Sequence, residues 1–203
     1  MVQEALNAQQ VVGAEDLGRF VSNTEFFRPS ALDERAAMPV FLALLPRVSD
    51  PKVVGAMAGH LRRPWARPAA FARLYIAFQR WAESDPLTGW SIGDALVNAA
   101  TKSELESLLG IVMQPKFGTA RQMIVYALWR FRAAPEVAST LLSLIDDPDV
   151  AHHAMSALQR TVGARDALPH LIRVREEHAG NPLGVTATKQ VRKAEAALLR
   201  QTD

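Results

Sequence analysis

One short pattern returns five times along this chain, and it restricts the possible folds more than any other feature. The five copies are His60-Leu61-Arg62-Arg63, Ala95-Leu96-Val97-Asn98, Ala127-Leu128-Trp129-Arg130, Ala157-Leu158-Gln159-Arg160 and Ala197-Leu198-Leu199-Arg200. Their leucines are separated by 35, 32, 30 and 40 residues. The register extends beyond the four-residue match. Nine residues after the first four leucines stand Ala70, Leu105, Val137 and Ala167, and thirteen after them stand Leu74, Leu109, Leu141 and Leu171. Four residues before the last four leucines stand Ile92, Ile124, Ala154 and Ala194. Offsets one helical turn apart share a helix face. Each copy therefore reads as a helix pair: an A helix with offsets +9 and +13 inside, followed by a B helix with offsets −4, −1 and 0 inside. A period of this length is the signature of stacked supersecondary units.

Composition agrees with helices. The chain is 49% hydrophobic but only 7% aromatic, so its core is built mainly of Ala, Leu and Val. Ala and Leu lose little entropy in a helix, whereas strands favour β-branched and aromatic residues. Turn chemistry separates the elements. Asp50-Pro51 and Asp147-Pro148 read as helix starts, with Asp capping the first amides and Pro at the first helical position. Asp85-Pro86 and Gln114-Pro115 punctuate the middle units, and Gly163 and Ala133-Ala134-Pro135 end B helices. The unit around 64–100 is expected to have a long first helix and a short second one. Gly180 to Gly184 reads as a loop inserted in the last unit.

The segment Val150 to Arg175, with Ala120 to Ile145 before it in the same register, resembles the HEAT-repeat family, in particular the short bacterial repeats also found in phycobilin lyases. The resemblance covers roughly residues 36–201. It implies an all-α, right-handed α-solenoid of about five helix pairs, forming one continuous domain over 36–203. Residues 1–35 fall outside the register and are expected to cap the first pair, with Leu17, Phe20, Val21, Phe26 and Phe27 as the packing face.

Charge is unevenly placed. Residues 51–82 carry six basic and no acidic side chains, while the rest of the chain is net acidic. Arg62, Arg63, Arg67, Arg73 and Arg80 alternate there with Trp65, Phe71, Tyr75, Phe78 and Trp81. Arginine beside aromatic rings suits phosphates and stacked bases, and equally a protein hot spot. Phe71, Leu74, Tyr75 and Phe78 also follow i, i+3, i+4, i+7 and read as core, with the arginines as a solvated flank. Two residues after four of the five B-helix leucines stands an arginine: Arg63, Arg130, Arg160 or Arg200. Such a column favours the carbonyl ends of its helices, or forms a ladder for an extended anion.

Other chemistries find little footing. There is no cysteine, so disulfides, thiolate metal sites and a cysteine nucleophile are excluded. His152-His153 and the pair His170 and His178 lack the i, i+4 spacing of helical zinc ligands, and no bound metal or other cofactor is expected. Asp146-Asp147-Pro148-Asp149 lacks the length and glycine of a calcium loop and reads as a helix cap. No G-x-S-x-G and no glycine-rich phosphate loop occurs. The alkylpurine DNA glycosylases use a HEAT-like solenoid with Trp, Asp and Arg in its groove, and Trp90 with Asp94 is the nearest local likeness.

No basic-then-apolar leader opens the sequence and no apolar run approaches the roughly 20 residues of a membrane span, so a cytoplasmic protein is expected. Taken together, these features predict a non-catalytic scaffold. Its partner is expected to be an acidic protein bound through Arg62, Arg63, Trp65, Arg67, Arg130 and Arg160. Nucleic-acid binding through 51–82 is the alternative, and no small-molecule substrate is implied.

Overall fold

A computed structural model of the chain describes residues 1–12 and 32–200, which fall into two compact units, Met1–Ser103 and Glu104–Asp203. The first holds α1 (Val2–Ala8), α2 (Glu34–Leu44), α3 (Pro51–Leu61), α4 (Phe71–Trp81) and α5 (Pro86–Ala99). The second holds α6 (Leu105–Val112), α7 (Gln122–Ala127), α8 (Pro135–Leu144), α9 (Ala151–Val162), α10 (Ala164–Glu177) and α11 (Pro182–Leu199). Short 3₁₀ turns join some of them, and no strand occurs among the described residues. The protein is all-α. No described helix is long and apolar enough to cross a membrane.

Helix starts are written locally. Asp33 accepts hydrogen bonds from the amides of Arg35 and Ala36 at the head of α2, and Asp50 from Lys52 and Val53 at the head of α3. Asp85 accepts from Thr88 in α5, and Asn181 from Leu183 and Gly184 in α11. Pro51, Pro86, Pro135 and Pro182 each open a helix, where the missing N–H loses no bond.

The repeating columns form the core. Leu61, Leu96, Leu128 and Leu158 are fully buried, as are Ile92, Ile124, Ala154 and Ala194 one turn earlier. Ala70, Leu74, Val137, Leu141, Ala167 and Leu171 are likewise buried on the A helices. In the first unit α5 packs against both α3 and α4, and α1 and α3 each pack against α2. In the second, α9 touches α7, α8, α10 and α11, and α10 lies along α11. Within each unit, successive B helices thus meet, α3 with α5 in the first and α7 with α9 and α9 with α11 in the second.

Several sequence expectations are corrected. Leu198 is half-buried rather than buried, because it sits in the last turn of α11 with no later described helix to cover it; Leu109 is half-buried too. In the second pair the 11-residue α4 is shorter than the 14-residue α5. Pro64 and Pro68 break the preceding run into a 3₁₀ turn, Pro64–Ala66, and delay α4 until Phe71. Residues 182–184 are not loop but the first turn of α11. A Cβ on Gly184 would lie 2.1 Å from the carbonyl oxygen of His178, so only glycine lets the two backbones approach there. Leu17, Phe20, Val21, Phe26 and Phe27 lie outside the described residues, while Val2, Leu6 and Val11 are buried in the first unit.

The acidic turn is also not a cap. Val150 occupies the N-cap position of α9, and Asp147 instead accepts from Asp149 N and from Arg121. Arg121 is 1% exposed. It donates to the carbonyls of Val112 and Gly118 at 2.9 and 3.0 Å and to Asp147 Oδ2 at 2.8 Å. A guanidinium held by three acceptors offsets much of its burial cost, and removing one partner leaves an uncompensated charge. Gly118 permits this by adopting φ +45° beside Asp149.

Leu128→Ala or Leu158→Ala is expected to destabilise the chain by about 2–5 kcal/mol in urea unfolding, and Leu198→Ala by clearly less, since its side chain is only half-buried. Arg121→Met is expected to cost about 3–5 kcal/mol through the carboxylate it leaves unpaired.

Candidate anion-binding cleft

The arginines around the first turn are held by acids that are remote in sequence. Arg62 Nη1 donates to Asp94 Oδ2 at 2.7 Å. Arg63 binds Glu34 through two bonds, Nε to Oε2 at 2.7 Å and Nη2 to Oε1 at 3.0 Å. Arg67 Nε donates to the carbonyl of Asn98 at 2.6 Å, and Arg80 Nη1 to that of Pro46 at 2.8 Å. Trp65 is half-buried, with the Arg35 guanidinium 5.7 Å from its ring centre. The six-to-none charge count of residues 51–82 is therefore not an open positive field. Glu34, from α2, and Asp94, from α5, neutralise two of its arginines, and two more bond to backbone. Among the aromatics, Phe71 and Phe78 are buried and Tyr75 stacks on Phe71 at 6.0 Å, as a core face requires.

His60 replaces alanine in the −1 column of α3 and is 1% exposed. Burial lowers its pKa despite the hydrogen bond to Glu34, which leaves a neutral imidazole at pH 7 whose Nδ1–H donates to Glu34 Oε1 at 3.2 Å. Burial works to raise the pKa of Glu34, but the hydrogen bonds from Arg63 and His60 prevail and hold it low. Asp94, the acid of the glycosylase-like Trp90–Asp94 pair, is 9% exposed and occupied by Arg62 and Asn98.

In the second unit the cations are placed differently. The Arg160 guanidinium lies 4.2 Å from the ring centre of Trp129 and 5.6 Å from that of Tyr126, and its Nη1 donates to Tyr126 Oη at 2.9 Å. Aromatic faces attract and orient a guanidinium without neutralising it. Arg130 lies over Phe131 at 5.8 Å. Arg160 lines a cleft of about 470 Å³ together with Lys193 and Arg200. Among the described residues no carboxylate lines this cleft or pairs with any of those three cations. Arg160 and Arg200 are consecutive members of the arginine column. Lys193 belongs to no repeating position, so the sequence periodicity could not single it out.

The floor of the cleft is a buried polar network. Gln190 of α11 is 3% exposed and Ser156 of α9 is 7% exposed. Gln190 Nε2 donates to Ser156 Oγ at 3.0 Å and meets His152 Nδ1 at 3.3 Å, while Gln190 Oε1 accepts from Gln159 Nε2 at 2.8 Å. Ser156 and Gln159 line the cleft and are fixed in orientation by Gln190. Gly163 and Ala164 form another wall, where α10 begins without a side-chain cap.

His153 lies edge-on to Tyr126 at 6.3 Å and to His152 at 5.4 Å. Burial, and then the charge of His152, hold its pKa at about 4. Elsewhere Asp146, Glu177 and His178 bring three potential metal ligands within 4.8 Å of one another, a set that sequence spacing does not reveal. Arg173 already bridges it, bonding Asp146 Oδ2 at 2.6 Å and Glu177 Oε2. A guanidinium there supplies the positive charge that a metal ion would.

No protein-family model, curated protein or solved structure matches the chain.

Arg63→Glu is expected to lower stability by about 1–3 kcal/mol, because it sets a second carboxylate against Glu34, whereas Arg160→Glu, at an exposed position, changes it by no more than about 1 kcal/mol. Acid weakens the fold through His153. The unfolded chain takes up that proton near pH 6.5 and the folded chain resists until about 4, so stability is lost as pH falls across this window. His153→Phe should flatten the pH dependence of urea unfolding between pH 7 and 5 by about 1–2 kcal/mol.

Proposed function

We propose that this chain is a non-catalytic HEAT-like repeat protein, a right-handed solenoid of about five helix pairs, that binds an acidic protein partner through an arginine-bearing surface. The recurrent Leu columns and the packing of α3 on α5, and of α7 and α11 on α9, support the repeat architecture. The observation that carries the binding reading is Arg160, stacked on Trp129 and Tyr126 beside Lys193 and Arg200 in a cleft with no carboxylate. Unpaired guanidinium and ammonium groups around a concavity favour anionic partners, and a pre-ordered arginine loses little entropy on binding.

Within the 62–67 turn, Trp65 and the outer faces of Arg63 and Arg67 remain available as a secondary contact. Their internal bonds make them a weaker anchor than Arg160. The same bonds argue against 51–82 as a nucleic-acid track, since a phosphate backbone would have to compete with Glu34 and Asp94 for Arg63 and Arg62.

Affinity capture from cells with the wild-type chain, and with Arg160→Glu/Lys193→Glu, tests this reading. The expected result is an acidic protein retained by the wild-type chain and lost from the double variant, which still unfolds cooperatively. Equal capture by both chains would overturn the assignment of the cleft. Tight binding of mixed-sequence DNA or RNA with a steep salt dependence would favour the nucleic-acid reading.

A further inference from the structure

We propose that the cleft between α9 and α11 is a receptor for a phosphomonoester, carried on a phosphorylated segment of the protein partner. This rests on the partner-binding reading above and adds to it the chemistry of the group recognised.

The cleft offers more positive charge than a single carboxylate would use. Arg160, Lys193 and Arg200 contribute three cations from α9 and the end of α11, and no described acid opposes them. A phosphomonoester brings about two negative charges and three strong acceptor oxygens at neutral pH. The neutral donors fit the same ligand. Ser156 Oγ accepts from Gln190, so its own O–H is left to donate, and no described residue takes that proton. Gln159 Nε2 spends one proton on Gln190 Oε1 and keeps the other.

The uncapped start of α10 adds to the field. Its N-cap is Gly163, which has no side chain to accept from the first-turn amides, and Gly163 and Ala164 both face the cleft. Asp166 lies in that first turn but not in the cleft's lining. Backbone amides at the positive end of a 14-residue helix favour an anion.

The arrangement is also pre-set. Trp129 and Tyr126 fix the Arg160 guanidinium, and the buried Gln190 fixes Ser156 and Gln159. A phosphodiester track would need cations spaced along a line, whereas these converge on one bounded concavity that suits an end group. At about 470 Å³ the cleft exceeds a bare phosphate and leaves room for the residues flanking it.

The test is an NMR titration of the full chain with three peptides, acetyl-Gly-Gly-X-Gly-Gly-amide, where X is phosphoserine, serine or glutamate, and with an oligothymidylate. The phosphoserine peptide should shift the Gly163 and Ala164 amides and the Arg160 Nε–H saturably, and the serine peptide should not. Arg160→Gln and Lys193→Gln, both exposed positions, should each weaken the phosphopeptide by about tenfold, the loss of one charge-assisted hydrogen bond. Affinity should also rise between pH 5 and 7.5 as the phosphate takes its second charge near pH 6. Equal binding by the glutamate peptide or the oligothymidylate would overturn the proposal. So would unchanged phosphopeptide affinity in both variants, or no saturable shift at all. A partner lost from Arg160→Glu/Lys193→Glu, together with no phosphopeptide binding, would sink this inference while leaving the proposed function intact. Phosphopeptide binding with the partner captured equally by wild type and variant would overturn the proposed function and, with it, the assignment of that phosphate to the partner.

Discussion

Within each compact unit one helix is packed on several others, α5 on α3 and α4 and α9 on α7, α8, α10 and α11, and the rest of each unit follows from that constraint. A single short helix cannot bury its apolar face alone, so these helices depend on their neighbours. α9 shows the consequence, touching α7, α8, α10 and α11 at once. Such crowding selects small residues at the closest approaches. Ala154 and Ala157 flank Leu158 on α9, Ala194 faces inward from α11, and Gly184 allows α11 to begin against the backbone of His178. Where the column admits a larger polar residue, as at His60, the side chain must be satisfied, and Glu34 does so from α2.

Charge follows packing rather than sequence proximity. Four arginines find an acid supplied by another element. Arg121 takes Asp147, Arg62 takes Asp94, Arg63 takes Glu34 and Arg173 takes Asp146. Arg160 is different because its neighbours are aromatic rings, which hold a guanidinium in place while leaving its charge uncompensated. That contrast separates ion-paired arginines from one whose charge no described acid offsets. The same residue type, at the same offset from its leucine, is thus ion-paired at Arg63 and stacked on rings at Arg160.

A cleft floored by a buried glutamine network is a costly arrangement unless each group is paired. Both polar ends of the buried Gln190 side chain are paired, with Ser156, His152 and Gln159, which leaves one donor each on Ser156 and Gln159. The network ties α9 to α11 and orients donors toward the concavity in one set of contacts. Polar satisfaction and helix packing are therefore linked at this position.

The sequence by itself determined the helices, their starts and most of their buried faces. Asp50-Pro51 and Asp85-Pro86 cap and open helices through local hydrogen bonds, and the Leu and Ala columns repeat at a period set by helix geometry, so both can be read along the chain. Local chemistry failed where a tertiary partner competed for the same atom. Asp147-Pro148 has the form of a helix start, yet Asp147 turns to the buried Arg121. Charge counting over 51–82 failed for the same reason, because Glu34 and Asp94 arrive from outside the window. The cleft was half legible: Arg160 and Arg200 stand in the repeating column, but Lys193, Ser156 and Gln190 carry no periodic mark. Only tertiary structure gathers them, since convergence of side chains from α9 and α11 depends on how two helices cross and not on their spacing along the chain.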